Sequence, residues 1–374
     1  MYADKVVSIG HVGWCSGSRL PKALKNLKFP RLKSIEIFGG CYDNASAYSS
    51  DNDDVFTWES VPYFMRTIKH IRIVNVVHFD LPLLEGIRKY CPDLVEFQAF
   101  WLDQNHLSSV LAYIKHWPKL KLLELQPYGR NVVRNGHLAT LMGMNLEVLL
   151  LHPDSPITYS IGSALDQTSS RFVALRDLDI ALKYTDIPFL PVAAPMLQKL
   201  NVAVYDNGEH DSVSNHKVLE YLVPLHRLQD LVVVNPRRYK LGKHELFQIT
   251  KFPQLRRLGI SLFDPDDKAE MASEITDDVI EELVSSLRDY EAFDLALKCD
   301  LTIYSVIIIG RNCPRLLDLR LNGYFDLSSL AYSSAQSFPL FPRLQSLRLD
   351  GPPVLRPHRR CAFESYDDNL ERVF

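Results

Sequence analysis

One short phrase recurs from end to end of this chain and limits what it can fold into more than any other property. At residues 117–125 it reads Trp117-Pro118-Lys119-Leu120-Lys121-Leu122-Leu123-Glu124-Leu125: an aromatic residue, a proline, a variable position, then Leu-x-x-Leu-x-Leu. Phe29-Pro30-Arg31-Leu32, Phe252-Pro253-Gln254-Leu255 and Phe341-Pro342-Arg343-Leu344 open the same way, and Cys91-Pro92-Asp93-Leu94 and Cys313-Pro314-Arg315-Leu316 put a cysteine first. The first apolar residue of each copy serves as an anchor. The anchors are Leu32, Ile68, Leu94, Leu120, Leu146, Leu175, Leu197, Leu228, Leu255, Tyr290, Leu316 and Leu344, spaced irregularly at roughly 28 residues.

Each copy has the grammar of a strand followed by a helix. In Leu-x-x-Leu-x-Leu the last two apolar positions alternate with polar ones, as in a strand with one buried face. Leu123/Leu125, Leu178/Ile180, Leu200/Val202, Leu258/Ile260, Leu319/Leu321 and Leu347/Leu349 are predicted to point inward, as are Ile35/Ile37. Glu36, Glu124, Asp179, Asn201, Arg257, Arg320 and Arg348 are predicted to point outward. Between strands the period changes to that of a helix: Leu107, Val110, Leu111 and Ile114 form one apolar stripe, and Val279, Ile280, Leu283, Val284 and Leu287 form another behind the capping sequence Thr276-Asp277-Asp278. Proline after each helix cannot continue it and acts as a stop. One such unit cannot bury its own apolar face, so neighbours must stack.

The expected fold is therefore an α/β leucine-rich-repeat solenoid, a curved horseshoe of about 12–13 irregular repeats, with parallel strands on the concave face and helices outside. The repeat array is expected to span residues 1–351. Val7-Ser8-Ile9 falls where the strand of a repeat anchored at Asp4 would, so residues 1–28 are expected to be a truncated N-terminal repeat or cap. Residues 352–374 are expected to be a C-terminal cap or tail. Three long polar insertions interrupt the array, at Gly39–Glu59, Tyr205–Asn215 and Asp264–Glu282, the last with nine acidic residues against one lysine.

The repeats look like leucine-rich repeats of the ribonuclease-inhibitor-like type. More narrowly, the Cys-Pro-x-Leu units at Cys91 and Cys313 and the Phe-Pro-x-Leu units at Phe29, Phe252 and Phe341 resemble the repeat region of fungal F-box proteins. The resemblance covers roughly residues 4–350. It implies a substrate-recognition surface for a cullin-type ubiquitin ligase. The chain departs from that family because no F-box is recognisable. Leu20-Pro21-Lys22-Ala23-Leu24 is similar to its opening, but Phe29 begins a repeat only a few residues later. Docking to a Skp-type adaptor is therefore expected only if an F-box lies outside this chain. An inhibitor or regulatory partner of an enzyme is the alternative class.

Composition removes several other functions. A net charge of −3 gives no general attraction to nucleic acid or to an anionic membrane. The amino terminus has no signal-peptide pattern, and no apolar run approaches the roughly 20 residues of a membrane-spanning helix. Six scattered cysteines without a C-x-x-C pair read as reduced thiols, which points to the cytoplasm or nucleus. No nucleophile elbow, phosphate loop or zinc-protease motif occurs, so no enzyme activity and no cofactor are expected. His210, Asp211 and His216 lack metal-ligand spacing and read as a polar loop.

The candidate binding residues are those left free by the phrase. Arg257, Arg320 and Arg348 form either a patch for an acidic or phosphorylated protein partner or a charge ladder on a solvated sheet. Glu124 and Asp179 belong to the same outward set. Tyr128, Tyr205, Phe263 and Tyr324 stand eight residues after their anchors, where regular repeats place an asparagine. They are either aromatic anchors on the rim or rings that plug the turns. Val148, Leu150, Val232 and Val234 are expected to give the outward face an apolar strip.

Overall fold

The computed structural model describes residues 7–13, 30–38, 67–74, 81–102, 104–127, 135–151, 159–205, 217–235, 241–262, 272–297, 299–326 and 340–351. The insertion at Gly39–Glu59, residues 352–374, His210, His216, Tyr128 and Phe263 lie outside the described residues. The chain divides into two compact units: Met1–Ala181 with Val192–Met196, and Leu182–Pro191 with Leu197–Phe374.

In the first unit the strands are β1 (Ser8–Gly13), β2 (Ser34–Phe38), β3 (His70–Val74), β4 (Glu96–Leu102), β5 (Leu122–Pro127), β6 (Val148–Leu150) and β7 (Asp177–Lys183). Each pairs in parallel with the next, so sequence order is spatial order. The helices between them are α1 (Leu81–Tyr90), α2 (Gln104–Ile114), α3 (Asn135–Met142) and α4 (Ile161–Gln167), the last capped by Ser160, whose hydroxyl accepts from Ser163 N–H. Phe97 from β4 meets Trp117 from the turn after α2 with ring centroids 5.2 Å apart, which ties sheet and helix layers into one core.

The second unit continues the pattern with β8 (Lys199–Tyr205), β9 (Asp230–Asn235), β10 (Arg257–Leu262), β12 (Ala292–Ala296), β14 (Asp318–Asn322) and β15 (Ser346–Asp350), again parallel and in chain order. Its helices are α6 (Val218–Leu222), α7 (Lys243–Leu246), α8 (Asp277–Val284) and α9 (Ile303–Asn312), after the short α5 (Leu190–Ala193). A second small sheet pairs β11 (Ala272–Thr276) with β13 (Cys299–Asp300). Of the insertion expected at Asp264–Glu282, residues 272–276 are strand β11, which the sequence did not suggest, and residues 277–282 belong to the helix expected behind Thr276-Asp277-Asp278. Thr276 stands at the N-cap of α8, yet its side chain makes no capping bond.

Two backbone devices explain why the phrase has the form it does. The aromatic or cysteine, the proline and the anchor form a β-turn: Leu94 N–H donates to Cys91 C=O at 3.3 Å, Leu120 to Trp117 at 3.1 Å and Leu316 to Cys313 at 3.2 Å. Proline occupies the second turn position, where its fixed φ is favoured. It is thus part of the reversal from helix to strand as well as the stop to the helix. The second device follows the anchor. Two successive N–H groups share one carbonyl of the preceding repeat: Val95 and Glu96 on Lys69 (2.8 and 3.0 Å), Lys121 and Leu122 on Val95 (2.8 and 3.1 Å), Arg256 and Arg257 on Gln229 (2.8 and 3.0 Å). This fixes the register of each strand before its side chains alternate.

Burial follows the predicted parity. Leu123, Leu125, Leu178, Ile180, Leu200, Val202, Leu258, Ile260, Leu319 and Leu321 are buried, as are the irregular anchors Ile68 and Tyr290. β15 differs: Leu344, Leu347 and Leu349 are only half-buried. Among the described residues no strand lies beyond β15, so its inward leucines have a packed neighbour on one side only.

Candidate partner-binding face

The outward positions of the strands form rows, because parallel pairing in register sets residue beside residue. In the first unit one row contains Glu36, Arg72, Gln98, Glu124, Leu150 and Asp179. Arg72 pairs with Glu36 at 2.5 Å and lies over the Phe100 ring at 5.1 Å from its centroid. His70 pairs with Glu96 at 2.8 Å. Glu124 and Asp179 are half-buried, on either side of the half-buried Leu150.

The second unit carries the three arginines, and each faces a carboxylate. Arg257 lies 3.8 Å from Asp230, Arg320 Nε is 3.0 Å from Asp350, and Arg348 Nε is 3.0 Å from the same carboxylate. Arg320 also approaches Asp294, at 3.9 Å, beyond hydrogen-bond reach. The two aspartates respond in opposite directions. Burial pushes the Asp294 carboxyl above its ordinary range, and the Arg320 charge only partly offsets this. At Asp350 burial acts the same way, but hydrogen bonds from Arg348 and Arg320 outweigh it and hold the carboxyl low. The arrangement contains both members of the charge ladder and leaves Arg257 and Arg348 more than half-exposed. Val232 and Val234 are half-buried on the same face.

Of the aromatic column, Tyr205 ends β8 half-buried. Tyr324 is 47% exposed, and its N–H donates to Leu301 C=O at 2.7 Å. The turn at that point is filled by backbone. A Cβ on Gly323 would stand 2.4 Å from Leu301 O, and a Cβ on Gly351 (φ +159°) would press still closer on the Gly323 carbonyl. The signal for this turn in the sequence is the repeated triplet Leu321-Asn322-Gly323 and Leu349-Asp350-Gly351.

Sequence reasoning also missed a set of acidic side chains that cap helices of neighbouring repeats. Glu245, buried in α7, accepts from Leu219 N–H at the start of α6. Glu274 accepts from Lys243 N–H at the start of α7 at 3.2 Å. Asp277 accepts from Thr302 N–H at 2.9 Å and from the Ser305 hydroxyl at the start of α9. That is why Asp277 serves the next helix more than its own. In each case a carboxylate meets the positive end of a helix and satisfies N–H groups that the helix cannot.

Among the described residues no group of three or more His, Cys, Asp or Glu could hold a metal ion. Burial pushes the thiols of Cys91, Cys299 and Cys313 up to about 12, so none is a nucleophile at neutral pH. No described helix is long and apolar enough to cross a membrane.

No family profile matches the chain, and no curated protein does. Two solved structures illustrate the similarities found. One is the Toll–Spatzle complex of Drosophila, at 13% identity and a TM-score of 0.38, with 93% of this chain and 54% of that chain covered. The other is the leucine-rich-repeat ectodomain of the receptor kinase GASSHO1/SCHENGEN3 from Arabidopsis thaliana in complex with CASPARIAN STRIP INTEGRITY FACTOR 2, at 13% identity and a TM-score of 0.36, with 93% and 44% covered. This chain spans about half the length of either. The assignment of the described repeats to the leucine-rich-repeat solenoid class rests on their own strand order, register and burial.

Proposed function

We propose that this protein is a protein-binding scaffold whose partner lies across the outward sheet face. The observation that carries the reading is that face in the second unit. From β9 to β15 it presents arginine, aspartate and half-buried valine in adjacent rows. Apolar side chains beside mixed charge are the materials of which protein interfaces are built.

The narrower reading makes it a substrate-recognition subunit of a cullin-type ubiquitin ligase in the cytoplasm or nucleus, supported by the Cys-Pro-x-Leu and Phe-Pro-x-Leu repeats. Its Skp-type adaptor would be engaged through an F-box outside this chain. The second reading, an inhibitor or regulatory partner of an enzyme, needs no adaptor.

The test is capture of partners by the wild type and by the triple variant Arg257→Glu, Arg320→Glu, Arg348→Glu, after circular dichroism has shown both to be folded. Loss of the captured set in the variant is expected. An unchanged set refutes the assignment of the face. Adaptor and cullin among the captured proteins favour the ligase reading, and one stoichiometric enzyme favours the regulator.

A further inference from the structure

We infer that Val232, Gly259 and Asp294, side by side on β9, β10 and β12, form a receptor for one lysine or arginine side chain of a protein partner. The inference rests on the scaffold reading above and names the partner chemistry of that face.

Three observations carry it. The first is register. Val232 pairs with Gly259 and Gly259 with Asp294, so the three occupy one outward row, with a gap at its centre where no side chain stands. The three atoms nearest a Cβ built on Gly259 all belong to Val232, from 3.4 Å, which is ordinary contact. The notch at Gly259 is thus bordered by the Val232 side chain and has room for a contact of ordinary length. Above and below Asp294 on its own strand stand Ala292 and Ala296, so the carboxylate is approached over small residues on three sides and by Arg320 on the fourth.

The second is charge. Outward carboxylates from β9 to β15 are Asp230, Asp294, Asp318 and Asp350, and they face three guanidiniums, those of Arg257, Arg320 and Arg348. Arg257 approaches Asp230 only to 3.8 Å, whereas both Arg320 and Arg348 bond to Asp350. Asp318 has no ion pair among the described residues, and Asp294 has only the 3.9 Å approach of Arg320. Four carboxylates against three guanidiniums leave a net charge of −1 on this part of the face, and neither Asp294 nor Asp318 is hydrogen-bonded to an arginine among the described residues.

The third is an unmet hydrogen-bonding demand. Asp294 Oδ1 is buried and accepts no hydrogen bond among the described residues, while its side chain as a whole stays about one-third exposed. Burial raises its pKa, so in the free protein the charged form is held at a cost. A cation arriving at the exposed part of the Asp294 side chain relieves that cost. Lysine and arginine match the row's chemistry from end to end: the methylene stem lies on Val232, crosses Gly259, and delivers the charged head to Asp294.

The test uses N-acetyl-lysine methylamide and N-acetyl-glutamate methylamide as probes, titrated into the full chain and followed by NMR at the Asp294 carboxyl and the Gly259 amide. The variants are Asp294→Asn, which removes the charge, and Gly259→Val, which fills the gap and leaves the charge. A saturable shift is expected for the lysine probe with the wild type. Binding at least tenfold weaker is expected in either variant, and none for the glutamate probe. Both variants should keep or raise the midpoint of thermal unfolding, because one removes a poorly compensated carboxylate and the other removes a strand glycine. Equal lysine binding in wild type and variants, equal response to the two probes, or a destabilised Asp294→Asn overturns the receptor. Partner capture separates the two claims. Lysine binding without capture refutes the scaffold reading alone, and capture that survives Asp294→Asn refutes the receptor alone.

Discussion

Replacing Glu245 tests whether neighbouring repeats are fastened through helix starts. Helix α6 has only five residues, and its N-cap residue Lys217 makes no side-chain capping bond. Its first N–H groups are satisfied from elsewhere: Lys217 N–H by the Tyr184 hydroxyl at 2.8 Å, and Leu219 N–H by Glu245 Oε1. Glu245 is 6% exposed, so water cannot easily replace it. Glu245→Ala leaves a buried N–H without an acceptor and loses a charge-assisted bond, a loss of about 2–3 kcal/mol. Glu245→Gln keeps an oxygen of the same reach and gives up only the charge, about 1 kcal/mol. Amide hydrogen exchange at Leu219 reads the local effect, since a repeat array opens unit by unit. Protection should fall roughly 30- to 150-fold in the alanine variant and roughly fivefold in the glutamine variant. If the two variants protect Leu219 equally, the carboxylate is not the fastening and the account of capping between repeats is wrong.

The end of the array should be softer than its middle. Leu319→Ala, at a site 1% exposed, is expected to cost about 3–4 kcal/mol in urea unfolding, while Leu347→Ala, half-buried one repeat later, should cost less than half of that. Equal losses would show that β15 is packed as deeply as β14. Cys91, Cys299 and Cys313 should resist a thiol reagent at pH 8 until the protein is unfolded by urea, because burial holds their pKa near 12; labelling of these three in the native state within minutes would contradict it. Gly323→Ala should lower the unfolding midpoint steeply, since its Cβ would press on the Leu301 carbonyl, and a neutral result would mean that the turn can shift.

Those tests fall on what the sequence did not show, and the division has a physical cause. Leucine anchors and strand parity act within a few residues, so Leu258 and Leu319 could be placed inward from pattern alone. Even the irregular Ile68 and Tyr290 kept their places, because position after the turn fixes burial whatever the side chain. The pairing of Arg320 with Asp350 joins residues 30 apart, and the acid that caps α9 belongs to another helix. Such contacts depend on how far each repeat is displaced from the next, which an irregular spacing does not reveal. Gly259 was passed over for a simpler reason: a position without a side chain leaves no mark on a hydrophobic pattern. Of the candidate site, the outward parity of the arginines and a charge ladder as one reading of them could be read directly, and the pairing of Arg320 and Arg348 with Asp350 could not.

The shared carbonyl at the start of each strand has a consequence for how such a chain changes length. Two N–H groups bound to one oxygen of the preceding repeat tolerate no slippage, so a residue added or lost between the proline turn and the strand would throw the row out of step. After the strand no such clamp operates, and the chain is free to lengthen. The spacings in this sequence follow that rule. Leu175 and Leu197 are close together and Leu32 and Ile68 far apart, while the interval from anchor to strand is constant. Insertions, new loops and engineered tags therefore belong on one side of every strand, and graftable repeats should be cut immediately ahead of the aromatic–proline pair.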